Sequence, residues 1–213
     1  MADLKLLYDA ILTGKHKIAA EITQIAIEEK LEPKELIDNY LIKAMEEIGD
    51  RFEKQQAFVP ELLMAGRAMK ASLSLLQPLL KGDEATSQLG TIVIGTVKGD
   101  LHDIGKNLVG SMFEGCGFQV VDLGVDADSD KFVTAVKEHS ANLVGLSALL
   151  TTTMPYMKTI IEALKAAGLR DTVKVMVGGA PVSSSFAEEI GADGYSDSAN
   201  SAVIKAKELL GVA

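Results

Sequence analysis

A helical segment followed by a five-stranded, doubly wound parallel α/β sheet is the architecture this sequence predicts. Three observations carry it. Residues 1–81 place apolar side chains at helical spacing and contain no β-like run. From residue 90 onward, apolar β runs alternate with helical stretches, an order that builds parallel sheets with right-handed crossovers. Between them, the polar run at 81–88 (KGDEATSQ) has no period and reads as a linker.

In the first segment, Leu4, Leu7, Tyr8 and Ile11 form one stripe, ended by Thr13-Gly14. Ile18, Ile22, Ile25 and Ala26 form the second. Pro33, suited to a first helical turn, opens a third with Leu36, Ile37, Tyr40, Leu41, Ala44, Met45, Ile48 and Phe52. Pro60 opens a fourth, with Leu62, Leu63, Met69, Leu73 and Leu76. Each stripe recurs every three or four residues and buries one helix face. Four such helices with short connections make a small antiparallel bundle. In the second segment, strands are expected at 91–97, 119–124, 143–149, 174–179 and 193–196. Helices are expected at 104–114, 129–140, 153–167, 183–190 and 199–210, with Thr152 or Thr153 capping the third of these. Near-continuous Val/Ile/Leu runs indicate strands buried on both faces. The strand order 2-1-3-4-5 puts the loops at 98–105 and 147–153 on either side of one crevice. The domain division is a helical cap at 1–81, a linker at 82–89 and a ligand-binding domain at 90–213.

The chain has 213 residues, 47% of them hydrophobic, and a net charge of −9. Such a length fits one or two domains with a real core. The acidic balance argues against a nucleic-acid partner, which basic stripes usually meet. No apolar run is long enough to span a bilayer and no basic, apolar signal opens the chain, so a membrane is not expected. Cys116, in Gly115-Cys116-Gly117, is the single cysteine. It excludes an internal disulfide and a Cys-cluster zinc site, and a cytoplasmic setting is the expectation. His16 and His139 read as surface residues, and Met154 and Met157 as core filler.

Chemistry concentrates in Gly95–Gly110, GTVKGDLHDIGKNLVG, which joins the first strand to a helix. His102 falls at the carboxyl end of a buried parallel strand, where open α/β sheets bind ligands. Asp100, two residues earlier, is placed to accept its other ring N–H, the arrangement that orients a metal-ligating imidazole. Gly99 and Gly105 flank the loop, so backbone can approach a bulky group closely. Neither Gly-x-Gly-x-x-Gly nor Walker spacing is present, so a nucleotide is not the obvious ligand. The third strand ends in hydroxyls, Ser147, Thr151 and Thr153. A hydroxyl inside an apolar strand, as at Ser147, needs a partner. The fourth strand ends Gly178-Gly179, either a tight turn or a groove where a large ligand lies on bare backbone.

This ordered set resembles the cobalamin-binding domain of corrinoid methyltransferases: Asp100-x-His102-x-x-Gly105, then Ser147-x-Leu149, then Gly178-Gly179. The helices resemble that family's cap domain, notably Phe58-Val59-Pro60-Glu61-Leu62 and the Ala-Gly-Arg-Ala-Met run after it. The likeness covers nearly the whole chain and is greatest to the small stand-alone corrinoid proteins that serve methylamine, methanol, betaine or methoxyaromatic methyltransferases.

The resemblance implies a cobalamin or related corrinoid, base-off, with His102 as lower ligand to cobalt. Asp100 would hold the other ring nitrogen, and Ser147 or Thr153 would continue the relay. Gly99, Asp103, Ile104 and Gly105 share the cofactor loop. Ser147, Leu149, Thr151, Gly178 and Gly179 would line the pocket for the nucleotide tail, and Tyr195 to Ala199 would close its far end. Phe58 and Leu62 would cover the methyl-bearing face, although Phe58 could equally be a bundle-core aromatic. The implied function is a methyl carrier. It takes a methyl group on cobalt(I) from a substrate-specific methyltransferase and passes it from methylcobalt(III) to a second, acceptor methyltransferase, with a reductive activase as a further partner. The cap would swing on the linker for each. Among rivals, a cobalamin-dependent sensor shares the whole pocket. A signalling receiver would want a Lys after the fifth strand, where Tyr195-Ser196-Asp197 stands. A flavin carrier would want a hydroxyl-rich loop where Lys98-Gly99-Asp100 stands.

Overall fold

A computed structural model of the chain describes residues 2–80 and 89–212. The expected linker, apart from Leu89, lies outside the described residues.

The first helices are α1 (Leu4–Leu12), α2 (His16–Glu28), α3 (Pro33–Leu36), α4 (Lys43–Glu53) and α5 (Val59–Leu76). Helix α3 passes into α4 through a π turn, Ile37–Ile42, so the third expected helix is continuous but locally over-wide. A π turn adds one residue to a turn while the apolar stripe persists, so periodicity did not reveal it. Asp3 caps α1 by accepting from the Leu6 N–H. Leu7, Ile11, Leu41, Met45, Leu62, Met69 and Leu76 are buried, which is where the stripes placed them. Full burial of one such side chain is worth about 1.5–3 kcal/mol. Tyr8 donates to Glu47, which also pairs with Arg51. Burial and the Glu47 carboxylate push the Tyr8 hydroxyl up to about 12.

The sheet is parallel throughout, in the order β2-β1-β3-β4-β5. Its strands are β1 (Thr91–Thr96), β2 (Gln119–Asp122), β3 (Leu143–Ser147), β4 (Lys174–Gly178) and β5 (Gly194–Tyr195). Helices α6 (Ile104–Gly115), α7 (Ser129–Glu138), α8 (Pro155–Ala166), α9 (Ser184–Ile190) and α10 (Ala199–Leu210) complete the α/β alternation. The core holds Val93, Phe132, Val144, Leu146, Met157, Ile160 and Val175. Gly95 is required there: a Cβ would meet the Phe132 ring at 2.7 Å. Burial on both faces holds for β1 but not for β2, an edge strand whose Gln119 and Asp122 are exposed. Asp128, Ser183 and Ser198 cap their helices. The expected Thr cap on α8 is absent. That helix begins at Pro155 without a side-chain cap, and Thr153 is used elsewhere.

Register aligns the strand ends: Thr96 lies opposite Ser147, and Ser147 opposite Gly178. Three sequence-distant loops therefore leave the sheet side by side. The chain forms two compact units. One comprises α1–α5 with Ser111–Phe118; the other comprises Gly90–Gly110 and the chain from Gln119 onward. Ser111–Phe118 holds the end of α6 and the buried Cys116.

Candidate functional site

Asp100 is the centre of the site. It follows β1 by four residues and is fully buried. Its Oδ1 accepts from the His102 N–H at 3.1 Å and lies 2.7 Å from His102 Nδ1. Its Oδ2 accepts from the N–H groups of Leu149 at 2.8 Å and Leu150 at 3.2 Å. The Thr153 hydroxyl, also 2.8 Å from Oδ2, has the Leu150 carbonyl as a competing acceptor at 2.9 Å. One proton serves two acceptors there, and a charged oxygen is the stronger. Burial alone would raise the Asp100 pKa. Hydrogen bonds from the His102 ring, the Leu149 and His102 N–H groups and Thr153 outweigh it and hold the carboxyl well below the usual carboxylate range.

The consequence for His102 is orientation. With Nδ1 given to a carboxylate, Nε2 is the nitrogen left for a ligand. The side chain is 51% exposed although its partner is fully buried. Around it the surface is apolar: Leu101 and Ile104 are 71% and 88% exposed, and Leu149 and Leu150 are also exposed. Such a set of solvent-facing leucines and isoleucine marks a binding surface. Gly105 has no atom within 4 Å of where a Cβ would stand, so nothing in the protein itself requires glycine there. Among the described residues, no group of three or more His, Cys, Asp or Glu could hold a metal ion. A metal seated on His102 therefore has to bring its other ligands with it.

Several residues that build this loop gave no local sequence signal. Thr96, buried at the end of β1, donates to the His102 carbonyl at 3.0 Å. Asp126 accepts from the Gly99 N–H at 2.7 Å and donates its own N–H to the Asp100 carbonyl at 3.0 Å. Its φ of +51° is unusual for a side-chain-bearing residue. Lys106, with its side chain 1% exposed, places Nζ 2.6 Å from Asp122 Oδ1 and thereby ties the first turn of α6 to the end of β2.

The other expected residues divide. Of the two candidate relay hydroxyls, Thr153 reaches Asp100; Ser147 sits half-buried at the end of β3, without a bond to that carboxylate. Asp103 precedes α6 and accepts from Asn107 at 3.0 Å. Thr151 is exposed, Tyr195 half-buried and Ala199 buried. Gly179 is not an open groove. It has φ +129°, and a Cβ would lie 1.8 Å from the Ala148 carbonyl oxygen, so the neighbouring loop already demands glycine. Gly178 is less crowded, with the Ser196 carbonyl at 3.3 Å from such a Cβ. Leu62 is buried in its helical unit and presents no side chain to a ligand, a correction to its expected covering role. Phe58 is 70% exposed, so the core-aromatic alternative fails. Its own N–H donates to Glu61 at 2.8 Å at the start of α5. No helix among the described residues is long and apolar enough to cross a membrane.

Comparison with known proteins shows the family. Residues 90–204 match the family described as "B12 binding domain", and residues 4–77 match a second family of the same description. The chain is 43% identical over 213 residues to a corrinoid protein of Desulfitobacterium hafniense, covering 99% of both chains. It is 46% identical over 207 residues to the dimethylamine corrinoid protein of Methanosarcina barkeri, covering 97% of each. Among solved structures it resembles a chain of the methanol:cobalamin methyltransferase complex of Methanosarcina barkeri. That match has a TM-score of 0.83 and 28% identity, and covers 98% of this chain and 79% of that one.

Proposed function

The chain belongs to the B12-binding corrinoid-protein family, and from there we propose that it is a methyl carrier. It takes a methyl group onto a bound corrinoid from a substrate-specific methyltransferase and yields it to an acceptor methyltransferase. The observation that carries this reading is a half-exposed imidazole, oriented by a buried carboxylate and flanked by exposed leucines and an isoleucine, with no group of three or more metal-ligating side chains among the described residues. A corrin would bring nitrogen ligands of its own, so a single imidazole fits the group.

When bound, the corrinoid supplies a cobalt centre that accepts and releases a methyl group. His102 would offer Nε2 to the cobalt. Asp100 holds Nδ1 and keeps the ring in one orientation whether or not Nε2 is engaged. Thr153 and the Leu149 and Leu150 N–H groups hold Asp100 anionic. Leu101, Ile104 and Leu149 offer apolar contact to a macrocycle, and Gly99, Asp103 and Gly105 border it. Ser147, Thr151, Gly178, Gly179, Tyr195 and Ala199 would border the nucleotide arm. A reductive activase is the third partner, restoring the carrier after oxidation.

The test is the electron paramagnetic resonance spectrum of the cobalt(II) form. Protein reconstituted with hydroxocobalamin should show nitrogen splitting from one imidazole. The pattern should change from triplets to doublets when the histidine is 15N-labelled, and should vanish in His102→Ala. Failure to retain any corrinoid, or splitting indifferent to histidine labelling, would overturn the proposal.

A further inference from the structure

One buried amide nitrogen outside the His102 cluster has no hydrogen-bond partner. Asn200, the second residue of α10, is 5% exposed, and its Nδ2 has no hydrogen-bond acceptor. Helix α10 does not need it as a cap. Ser198 already accepts from the Ser201 N–H at 3.1 Å, and Ser201 returns the bond to the Ser198 N–H at 3.2 Å. Asn200 also stands at the functional end of the sheet. Helix α10 starts four residues after β5, and the Ser196 carbonyl between them lies 3.3 Å from where a Gly178 Cβ would be. A buried amide donor left unsatisfied weakens the folded state. Leucine, branched at the same atom, would remove that penalty. A polar group that costs stability beside a binding site points to a ligand that satisfies it.

We propose that Asn200 is a specificity-determining residue that donates from Nδ2 to an acceptor on the nucleotide arm of the corrinoid. This rests on the carrier reading above. The arm, a phosphate, ribose and base, is the acceptor-rich part of the cofactor, and it is the part expected at Gly178 and Ala199. Asn200 thus selects corrinoids that carry the arm over those that lack it.

The experiment compares cobalamin with cobinamide, the macrocycle without the arm, by absorbance titration of wild type and Asn200→Leu. The variant should lose about tenfold in cobalamin affinity, the size of one buried hydrogen bond. It should bind cobinamide as wild type does, and its apo form should melt no lower. Equal losses for both ligands, or no loss for either, would overturn the proposal; the second result would mean that water satisfies the amide. Should the leucine variant fold poorly, the same affinity ratio in Asn200→Ala decides. Wild type that binds neither ligand would instead remove the carrier reading, and this inference with it.

Discussion

Replacing Asp100 by asparagine keeps the shape of the side chain and removes its charge. Its amide has one acceptor oxygen for the two that now serve five close donors. The least costly placement keeps the oxygen toward Leu149, Leu150 and Thr153 and turns the NH2 toward His102. Three hydrogen bonds then lose charge assistance, about 1 kcal/mol each. The part-buried His102 N–H loses its acceptor, about 1 kcal/mol more. Relief from burying a charge offsets part of this, leaving a net loss on the order of 2 kcal/mol. The NH2 also forces Nδ1 to accept, which puts the imidazole proton on Nε2, the nitrogen a metal needs. The pH dependence has a definite sign. The folded Asp100 carboxyl titrates below its unfolded value. Its contribution is therefore present above about pH 4–5 and is lost as pH falls through the folded value. Urea denaturation of the apo protein should show a gap between wild type and Asp100→Asn that is flat from about pH 5 to 8 and narrows below about pH 4. A variant as stable as wild type at pH 7, or a gap that widens on acidification, would refute this account.

Thr153→Val, which keeps the shape and drops one donor to Asp100, should cost about 1–2 kcal/mol in the same assay; no change would mean that the hydroxyl does not help to hold the carboxylate. Gly179→Ala should lower the melting temperature severely, because its Cβ would lie 1.8 Å from the Ala148 carbonyl at φ +129°. Gly105→Ala separates folding from binding. With nothing within 4 Å and a position in the first turn of α6, alanine should leave apo stability equal or up to about 1 kcal/mol higher. Corrinoid affinity should fall at least tenfold if a macrocycle lies against that backbone, and unchanged affinity would place the ring elsewhere. Phe58→Gln should shift stability by no more than about 0.5 kcal/mol, since the ring is mostly solvent-exposed.

Much of the fold was legible because periodicity is a local property. Leu7, Ile11, Met45 and Met69 announce buried helix faces, and the Val/Ile run of β1 announces a central parallel strand, whatever the rest of the chain does. Asp100 and His102 were legible as a pair for the same reason, being two residues apart. The π turn was not, since an extra residue in one turn leaves the stripe intact. Asp126, Thr96 and Lys106 were not, because each acts on the His102 loop through contacts that only the folded sheet creates.

By itself the sequence determined the helical segment, the parallel sheet and its strand order, and the placing of an imidazole with its carboxylate at a strand end. Tertiary structure decided which hydroxyl completes the cluster. Ser147 and Thr153 are equally polar on paper, but the turn after β3 brings Thr153, not Ser147, to Oδ2 of Asp100. It also decided why Gly179 must be glycine, since the answer lies in the Ala148 carbonyl of the neighbouring loop. The physical reason is the same in both cases. Hydrogen-bond direction and van der Waals exclusion act over about 3 Å, and only packing brings atoms far apart in the chain that close together.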